Sequence, residues 1–207
     1  MIDLLQECSL HKLTDELLKE CYPFSCGNND DLDEFFRIDA MKYSKFLMGK
    51  SYCFRLLRDP RQMVCCFTLS SDSIRIYDLP NSRKNKLGKL TNREKLLNRY
   101  PGVLIGRLAV DEKFSHQGVG SQTLKFICKW VKMDDSKMSS RLAIVDAVNT
   151  PEVLSFYAKN GFVPLFPTEL QEDLYTKPPE NADVLHERLS QPRHLNTRLL
   201  FCDLLGC

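Results

Sequence analysis

Two glycines, Gly118 and Gly120, flank Val119 between a strand-like run, Val103 to Val110 (VLIGRLAV), and a helical pattern. Glycine lets a backbone approach a ligand closely. The first N–H groups of a helix have no internal partner and sit at the positive end of its dipole. The stretch Gln117-Gly118-Val119-Gly120-Ser121 therefore suits a phosphate or pyrophosphate. It is neither the G-x-G-x-x-G of a dinucleotide fold nor the G-K-[ST] of a P-loop. Further along, Asn149-Thr150-Pro151 leads into a helical segment carrying Phe156-Tyr157 and stopping before Gly161-Phe162. A tyrosine on a helix is by itself core or surface. Placed after two strands that splay beside a phosphate loop, Tyr157 becomes a candidate proton donor.

These groups need elements to position them. Val103 to Val110 is the strongest strand signal in the chain. After the polar loop Asp111 to Gln117 and the glycines, Leu124, Ile127, Cys128 and Val131 recur at the spacing of an amphipathic helix. Arg141 to Ala147 (RLAIVDA) reads as another strand. Thr150 is the N-cap and Pro151 the first position of the next helix, with Asn160-Gly161 as its left-handed cap.

Toward the N-terminus, Cys26-Gly27-Asn28-Asn29 makes a turn into a helix. Its first turn crowds Asp30, Asp31, Asp33 and Glu34 at the positive end of the dipole. Leu32, Phe35, Phe36 and Tyr43 fall at helical spacing and are expected to face the core. Ser51 to Leu57 and Met63 to Ser70, separated by the turn Arg58-Asp59-Pro60-Arg61, read as an antiparallel hairpin. Ser73 to Tyr77 fits a short strand or the lead into a basic segment. Toward the C-terminus, Phe162 to Phe166 and Arg198 to Leu205 read as strands. Between them Thr168 to Asn196 holds Pro178-Pro179, a surplus of acids and room for a helix near Asn181 to Leu189. Strands and helices alternate around one mixed sheet, so the expected architecture is a single α/β domain over residues 1–207. It carries a basic insertion at about 78–101 and an acidic insertion at about 167–196.

Composition sets the class. The chain has 207 residues, 43% hydrophobic and 27% charged, as in an ordinary globule rather than a disordered chain. No apolar run reaches the ~18 residues of a membrane span. The start MIDLLQECSLHKL lacks the basic and apolar regions of a secretory signal, so a cytoplasmic location is expected. Nine cysteines show no CxxC pair and no Cys/His quartet, so no metal site is expected and the thiols read as reduced and mostly buried. Adjacent Cys65 and Cys66 would point to opposite faces of a strand. The net charge is +2, yet Asn81 to Tyr100 holds seven basic residues against one acid. Such a segment is either a solvated face or a grip for a polyanion.

These motifs resemble the GNAT superfamily of acyl-CoA N-acyltransferases. The family's coenzyme loop, R/Q-x-x-G-x-G/A after a strand ending in LAV, is similar to Leu108-Ala109-Val110 followed by Ser115-His116-Gln117-Gly118-Val119-Gly120. Its N…FY…GF segment is similar to Asn149…Phe156-Tyr157…Gly161-Phe162. Ser115 stands where Gln or Arg is usual, which removes a side-chain contact to pyrophosphate and leaves the main-chain contacts intact. The likeness runs from about Cys26 to Phe166, with Arg198 to Leu205 fitting the last strand. Cys26-Gly27, the string Gly106-Arg107-Leu108-Ala109-Val110-Asp111 and the Gln117 to Gly120 loop also resemble the toxin branch. Enzymes of that branch acetylate the α-amine of aminoacyl-tRNA and are silenced by a ribbon-helix-helix antitoxin. The stretch Asn81 to Tyr100 and the tail after Pro167 are longer than in compact toxins.

The resemblance implies acetyl-CoA as cofactor. Leu108, Ala109, Val110, Ser115, His116, Gln117, Gly118, Val119, Gly120, Ser121, Asn149 and Phe156 would contact it. Tyr157 would protonate the leaving thiolate, and the amine would attack the thioester without a covalent enzyme intermediate. Arg107 would contact substrate phosphate or pair with a local carboxylate. Arg83, Lys84, Lys86, Lys89 and Arg93 would grip RNA, while the acidic connection would repel it if near the site. Asp111, Asp146 and His116 stand as possible helpers, each also readable as a plain loop or strand-end residue. The expected partners are aminoacyl-tRNA, an antitoxin and a second copy of the chain. Two other readings stay open: an acetyltransferase of a small or protein amine, and a non-catalytic acyl-CoA sensor or partner-binding module. A nucleic-acid binder without coenzyme is disfavoured, because the basic run lacks interleaved aromatics.

Overall fold

The computed structural model describes residues 2–27, 29–76, 79–88, 98–133 and 139–206, without the side chains of 86–88. In chain order the elements begin with α1 (Leu4–Glu7), β1 (Cys8–Lys12), α2 (Asp15–Glu20), α3 (Asp30–Glu34), a π-helical turn (Phe35–Asp39) and α4 (Ala40–Lys45). They continue with β2 (Lys50–Leu56), β3 (Met63–Arg75), α5 (Asn81–Gly88), β4 (Arg99–Val110), a 3-10 turn (Glu112–Phe114) and α6 (Val119–Trp130). The chain closes with β5 (Leu142–Val148), α7 (Pro151–Lys159), β6 (Val163–Pro164), α8 (Glu169–Thr176), α9 (Ala182–Ser190) and β7 (Thr197–Asp203). Among the described residues seven strands hydrogen-bond in the order β1-β2-β3-β4-β5-β7-β6. The expected open α/β sheet with flanking helices is present.

The chain divides into two compact units. The first is Met1–Ser71 with Leu104–Lys137, and the second is Asp72–Val103 with Met138–Cys207. β4 therefore belongs to both, its N-terminal part to the second unit and Leu104 onward to the first.

In the first unit the expected hairpin is β2 against β3, antiparallel, with a bulge at Phe54/Arg55. β1, which periodicity did not reveal, adds to β2 from Cys8↔Leu56 to Lys12↔Tyr52. Cys65 and Cys66 do face opposite ways. Cys65 meets the Thr123 hydroxyl of α6 at 3.3 Å, while Cys66 joins Leu13, Leu17, Phe36, Met41 and Ala109 in a buried cluster. The chain reaches that cluster through a capped turn. Asp33 accepts from Ser25 Oγ and the Cys26 N–H, both at 2.8 Å, and Asn29 caps α3 through the Leu32 N–H.

The π turn that follows buries two successive residues, Phe35 and Phe36, with ring centroids 5.2 Å apart. Its wider winding rotates the next helix. Tyr43, expected in the core, is consequently 37% exposed and touches the Phe35 ring edge.

In the second unit β5 is buried from Leu142 to Val145 and pairs antiparallel with β7 from Leu142↔Asp203 to Val148↔Thr197. Gly102 of β4 crosses tightly here, since a Cβ would lie 2.5 Å from Ile144 Cδ1. Thr150 is the N-cap of α7 and Pro151 its first residue, and Gly161 takes φ +86° after the helix, as expected. The strand expected over Phe162 to Phe166 shrinks to Val163–Pro164, because Pro164 has no N–H to extend the ladder. The segment read as one long connection folds into α8 and α9, of which only α9 was expected. Ser73 to Arg75 is the end of β3 rather than a separate strand.

Candidate active site

The first unit supplies the glycine loop. Val64 accepts from the Asp111 N–H at 3.0 Å and so ties the end of β4 to β3. Asp111, 2% exposed, then caps the 3-10 turn by accepting from the Lys113 N–H at 3.1 Å. Burial pushes its carboxyl above the usual range. Its observed role is thus the turn carboxylate. Lys113 in turn receives the Gln117 side-chain amide on its carbonyl at 3.1 Å and donates through Nζ to Gln62 at 3.0 Å. His116 is exposed and takes φ +59°, and Gly118 takes φ +78° as N-cap of α6. Two left-handed residues around Gln117 fold the loop back on itself.

The first bond inside α6 runs from the Gln122 N–H to the Gly118 carbonyl at 3.0 Å. The amides of Val119 and Gly120 come before it, in the turn that helix geometry leaves without intrahelical acceptors. The helix start is well braced. Thr123 Oγ1 donates to the Val119 carbonyl at 2.9 Å, and the Gln122 side chain bridges the Leu4 N–H at 2.8 Å and the Ile2 carbonyl at 2.9 Å. Ser115 is half-buried, and its N–H donates to Glu112 at 3.2 Å. Ser121 is the third residue of α6, within its first turn. Upstream on β4, Ala109 is 4% exposed, Leu108 and Val110 are half-buried, and a Cβ on Gly106 would meet nothing within 4 Å. Gly27 abuts the same loop, its would-be Cβ 3.3 Å from Glu112 Oε2.

Arg107 does not take the expected local carboxylate. Its guanidinium lies 5.0 Å from the Phe35 ring centroid and donates to the Gly106 carbonyl, with no carboxylate partner among the described residues.

The second unit supplies Asn149, Phe156 and Tyr157. Tyr157 packs edge-on between Phe156 at 5.1 Å and Phe162 at 5.5 Å. Burial pushes its hydroxyl up to about 12, so the proton it carries at neutral pH stays in place well above neutrality. That hydroxyl makes no hydrogen bond among the described residues. A half-buried phenol that keeps its proton and has no acceptor is equipped to donate one to a bound group.

Asn149 is firmly held. Its Nδ2 donates to Glu169 Oε1 at 3.1 Å and to the Leu195 carbonyl at 2.8 Å, and its backbone N–H to Asn196 at 2.9 Å. Asp146 lies on β5 with its surface open to solvent; crowding by the surrounding chain, and then the nearby Asp72 carboxylate, raises its pKa.

Of the basic residues expected to meet RNA, Arg83 and Lys84 lie on α5, both half-buried, and Arg83 Nε has no partner among the described residues. Lys89 and Arg93, and the side chain of Lys86, lie outside the described residues. The acidic insertion presents less free charge than its composition suggested. Glu172 is paired with Arg198 at 2.7 Å and Asp173 with Arg188 at 3.3 Å. Glu169, which sequence reasoning passed over, contacts Asn149 directly. The signal was present: Thr168 and Gln171 form the T-x-x-Q pattern of a helix start, and Thr168 Oγ1 does accept from the Gln171 N–H. No group of three or more metal-ligating side chains gathers among the described residues. No helix among them is long and apolar enough to cross a membrane.

Comparison with known proteins gives this geometry its family. The family described as "Acetyltransferase (GNAT) domain" matches residues 64–164, from β3 through β6. A tRNA-acetylating toxin of Mycobacterium tuberculosis (strain ATCC 25618 / H37Rv) is 32% identical over 140 residues, 67% of this chain and 75% of that protein. Among solved structures, AtaT complexed with acetyl-methionyl-tRNAfMet superposes with a TM-score of 0.66 at 20% identity, covering 97% of this chain and 96% of that one. AtaTR bound with AcCoA gives a TM-score of 0.65 at 19% identity, covering 97% and 95%. The matched segment includes in its sequence the glycine loop, the Asn149 turn and Tyr157, and the chain belongs to the GNAT acetyltransferase family.

Proposed function

We propose that the protein transfers acetyl from acetyl-CoA to the α-amine of an aminoacyl-tRNA, acting as a cytoplasmic toxin. The observation that carries the chemistry is the half-buried Tyr157 hydroxyl, packed between Phe156 and Phe162 and without a hydrogen-bond partner among the described residues. The identity with a tRNA-acetylating toxin supports the acceptor.

On this reading the amides of Val119 and Gly120, flanked by Ser115, His116, Gln117, Gly118 and Ser121, hold the coenzyme pyrophosphate. The edge Leu108-Ala109-Val110 receives the pantetheine arm, with Asn149 and Phe156 as further contacts. A main-chain N–H near Val110 steadies the oxyanion. The neutral amine attacks the thioester carbonyl, the C–S bond breaks, and the thiolate takes the Tyr157 proton. The attacking nitrogen releases its surplus proton to solvent, and the phenolate is reprotonated before the next cycle. Arg107, Arg83, Lys84, Lys86, Lys89 and Arg93 are the cations offered to the RNA backbone on this reading. A ribbon-helix-helix antitoxin and a second copy of the chain are the protein partners.

Labelled acetyl-CoA offered with bulk charged and uncharged tRNA tests the reading. Label on charged tRNA alone is expected. Transfer to a small amine or a protein amine, with none to charged tRNA, would overturn the acceptor and keep the enzyme class.

A further inference from the structure

Helix α8 lies in the acidic insertion, yet its carboxylates work on the chain around the candidate site. Glu169 and Glu172 stand three residues apart, hence on one face of the helix. Both reach the returning segment before and within β7. Glu172 takes the Arg198 Nε and the Leu199 N–H. Glu169 takes the Leu195 N–H at 2.6 Å and the His194 ring at 3.1 Å, and its other oxygen takes Asn149 Nδ2 at 3.1 Å. One carboxylate thus joins the segment 194–196 to the turn that starts α7, the helix of Tyr157.

The consequence falls on Asn149. Both hydrogens of its amide have acceptors, Glu169 and the Leu195 carbonyl. Turning the amide over would set Oδ1 against a carboxylate and a carbonyl, acceptor against acceptor. The orientation is therefore fixed by its surroundings. Oδ1 is left as the one polar atom of that side chain with no hydrogen bond among the described residues. A fixed acceptor of this kind fits a donor such as the amide N–H groups of a pantetheine arm.

We propose that Glu169 is a positioning residue of the coenzyme site, holding the Asn149 amide so that Oδ1 is offered to an amide N–H of bound acetyl-CoA. The inference rests on the acetyl-CoA reading above. It gives the acidic insertion a task in coenzyme binding that its charge alone does not reveal. Glu169 touches no reacting atom in this account; its effect passes entirely through Asn149.

A double-mutant cycle on CoA affinity tests this, read by calorimetric titration of the full chain. Glu169→Ala and Asn149→Ala are each expected to weaken CoA by about five- to tenfold. With Asn149 already alanine, Glu169→Ala is expected to add less than about twofold, because its route to the ligand is gone. Glu169→Gln keeps one acceptor oxygen and is expected to fall between wild type and Glu169→Ala. It also serves the cycle if the alanine variant does not fold. Equal weakening by the Glu169 substitution in both backgrounds would overturn the inference. So would a lowered thermal midpoint with wild-type CoA affinity, the mark of a purely structural role. Absence of heat from the wild type would instead overturn the coenzyme reading, and the inference with it.

Discussion

Arg198 of β7 donates through Nε to the Glu172 carboxylate of α8 at 2.7 Å, with the arginine side chain 11% and the glutamate 4% exposed. Glu172 also accepts from the Leu199 N–H, and Arg198 also donates to the Phe166 carbonyl. β6 has only two residues, so the edge of β7 beyond it is met by a helix side chain instead of another strand. A buried pair of this kind is most costly when one partner is removed and the other charge stays behind. Glu172→Ala is expected to lower stability by about 3–5 kcal/mol in urea unfolding. Loss of less than about 1 kcal/mol would show that the pair contributes as a surface bridge does.

Tyr157 allows a sharper test of chemistry. Tyr157→Phe keeps the ring contacts with Phe156 and Phe162 and removes the proton. It is expected to leave CoA affinity unchanged and to cut turnover by about 10²–10⁴-fold. Burial raises the hydroxyl to about 12, so the proton remains in place well above neutrality. The mutational loss is accordingly expected to be the same at about pH 7 and about pH 9. Near-wild-type turnover in a direct acetyl-transfer assay would rule the donor role out.

Gly118 carries a backbone requirement rather than a packing one. A Cβ there meets nothing within 4 Å, but φ is +78°. Gly118→Val is expected to cost about 1–2 kcal/mol through the left-handed backbone. It should also weaken CoA, because relief of that strain moves the amides at the start of α6. Unchanged CoA affinity in a folded Gly118→Val protein would contradict the loop's assignment.

The thiols are graded by burial. Cys53 and Cys65 are pushed up to about 12 by burial, and Cys66 well above its ordinary value for the same reason; burial also raises Cys21, and Cys26 to about 11, but these two are partly exposed and so within reach of a reagent. Among the described cysteines, alkylation of the folded chain at mildly alkaline pH, mapped by peptide mass, is expected to label Cys21 and Cys26 first. Prompt labelling of Cys65 or Cys66 would mean that the β3 core opens readily.

The chemistry-bearing parts were legible because each has a local signature. The β4 run, the Gly118/Gly120 loop and Thr150-Pro151 are signals within a few residues, and all three stand where expected. What escaped depends on tertiary neighbours. β1 is a strand because β2 pairs with it, not because Cys8 to Lys12 alternates. Tyr43 left the core because a π turn, invisible to a 3.6-residue period, shifted its helix. Arg107 found an aromatic face instead of a carboxylate, and no local pattern encodes that contact. Glu169 looked like one acid among many until folding brought it to Asn149.

The central claim is that the loop from Ser115 to Ser121 on β4 and α6 binds the nucleotide end of acetyl-CoA. Calorimetric titration of the purified chain with CoA tests it most directly. The account predicts saturable heat at one CoA per chain, lost or much weakened in Gly118→Val. A wild-type chain that is folded and gives no heat with CoA would contradict it.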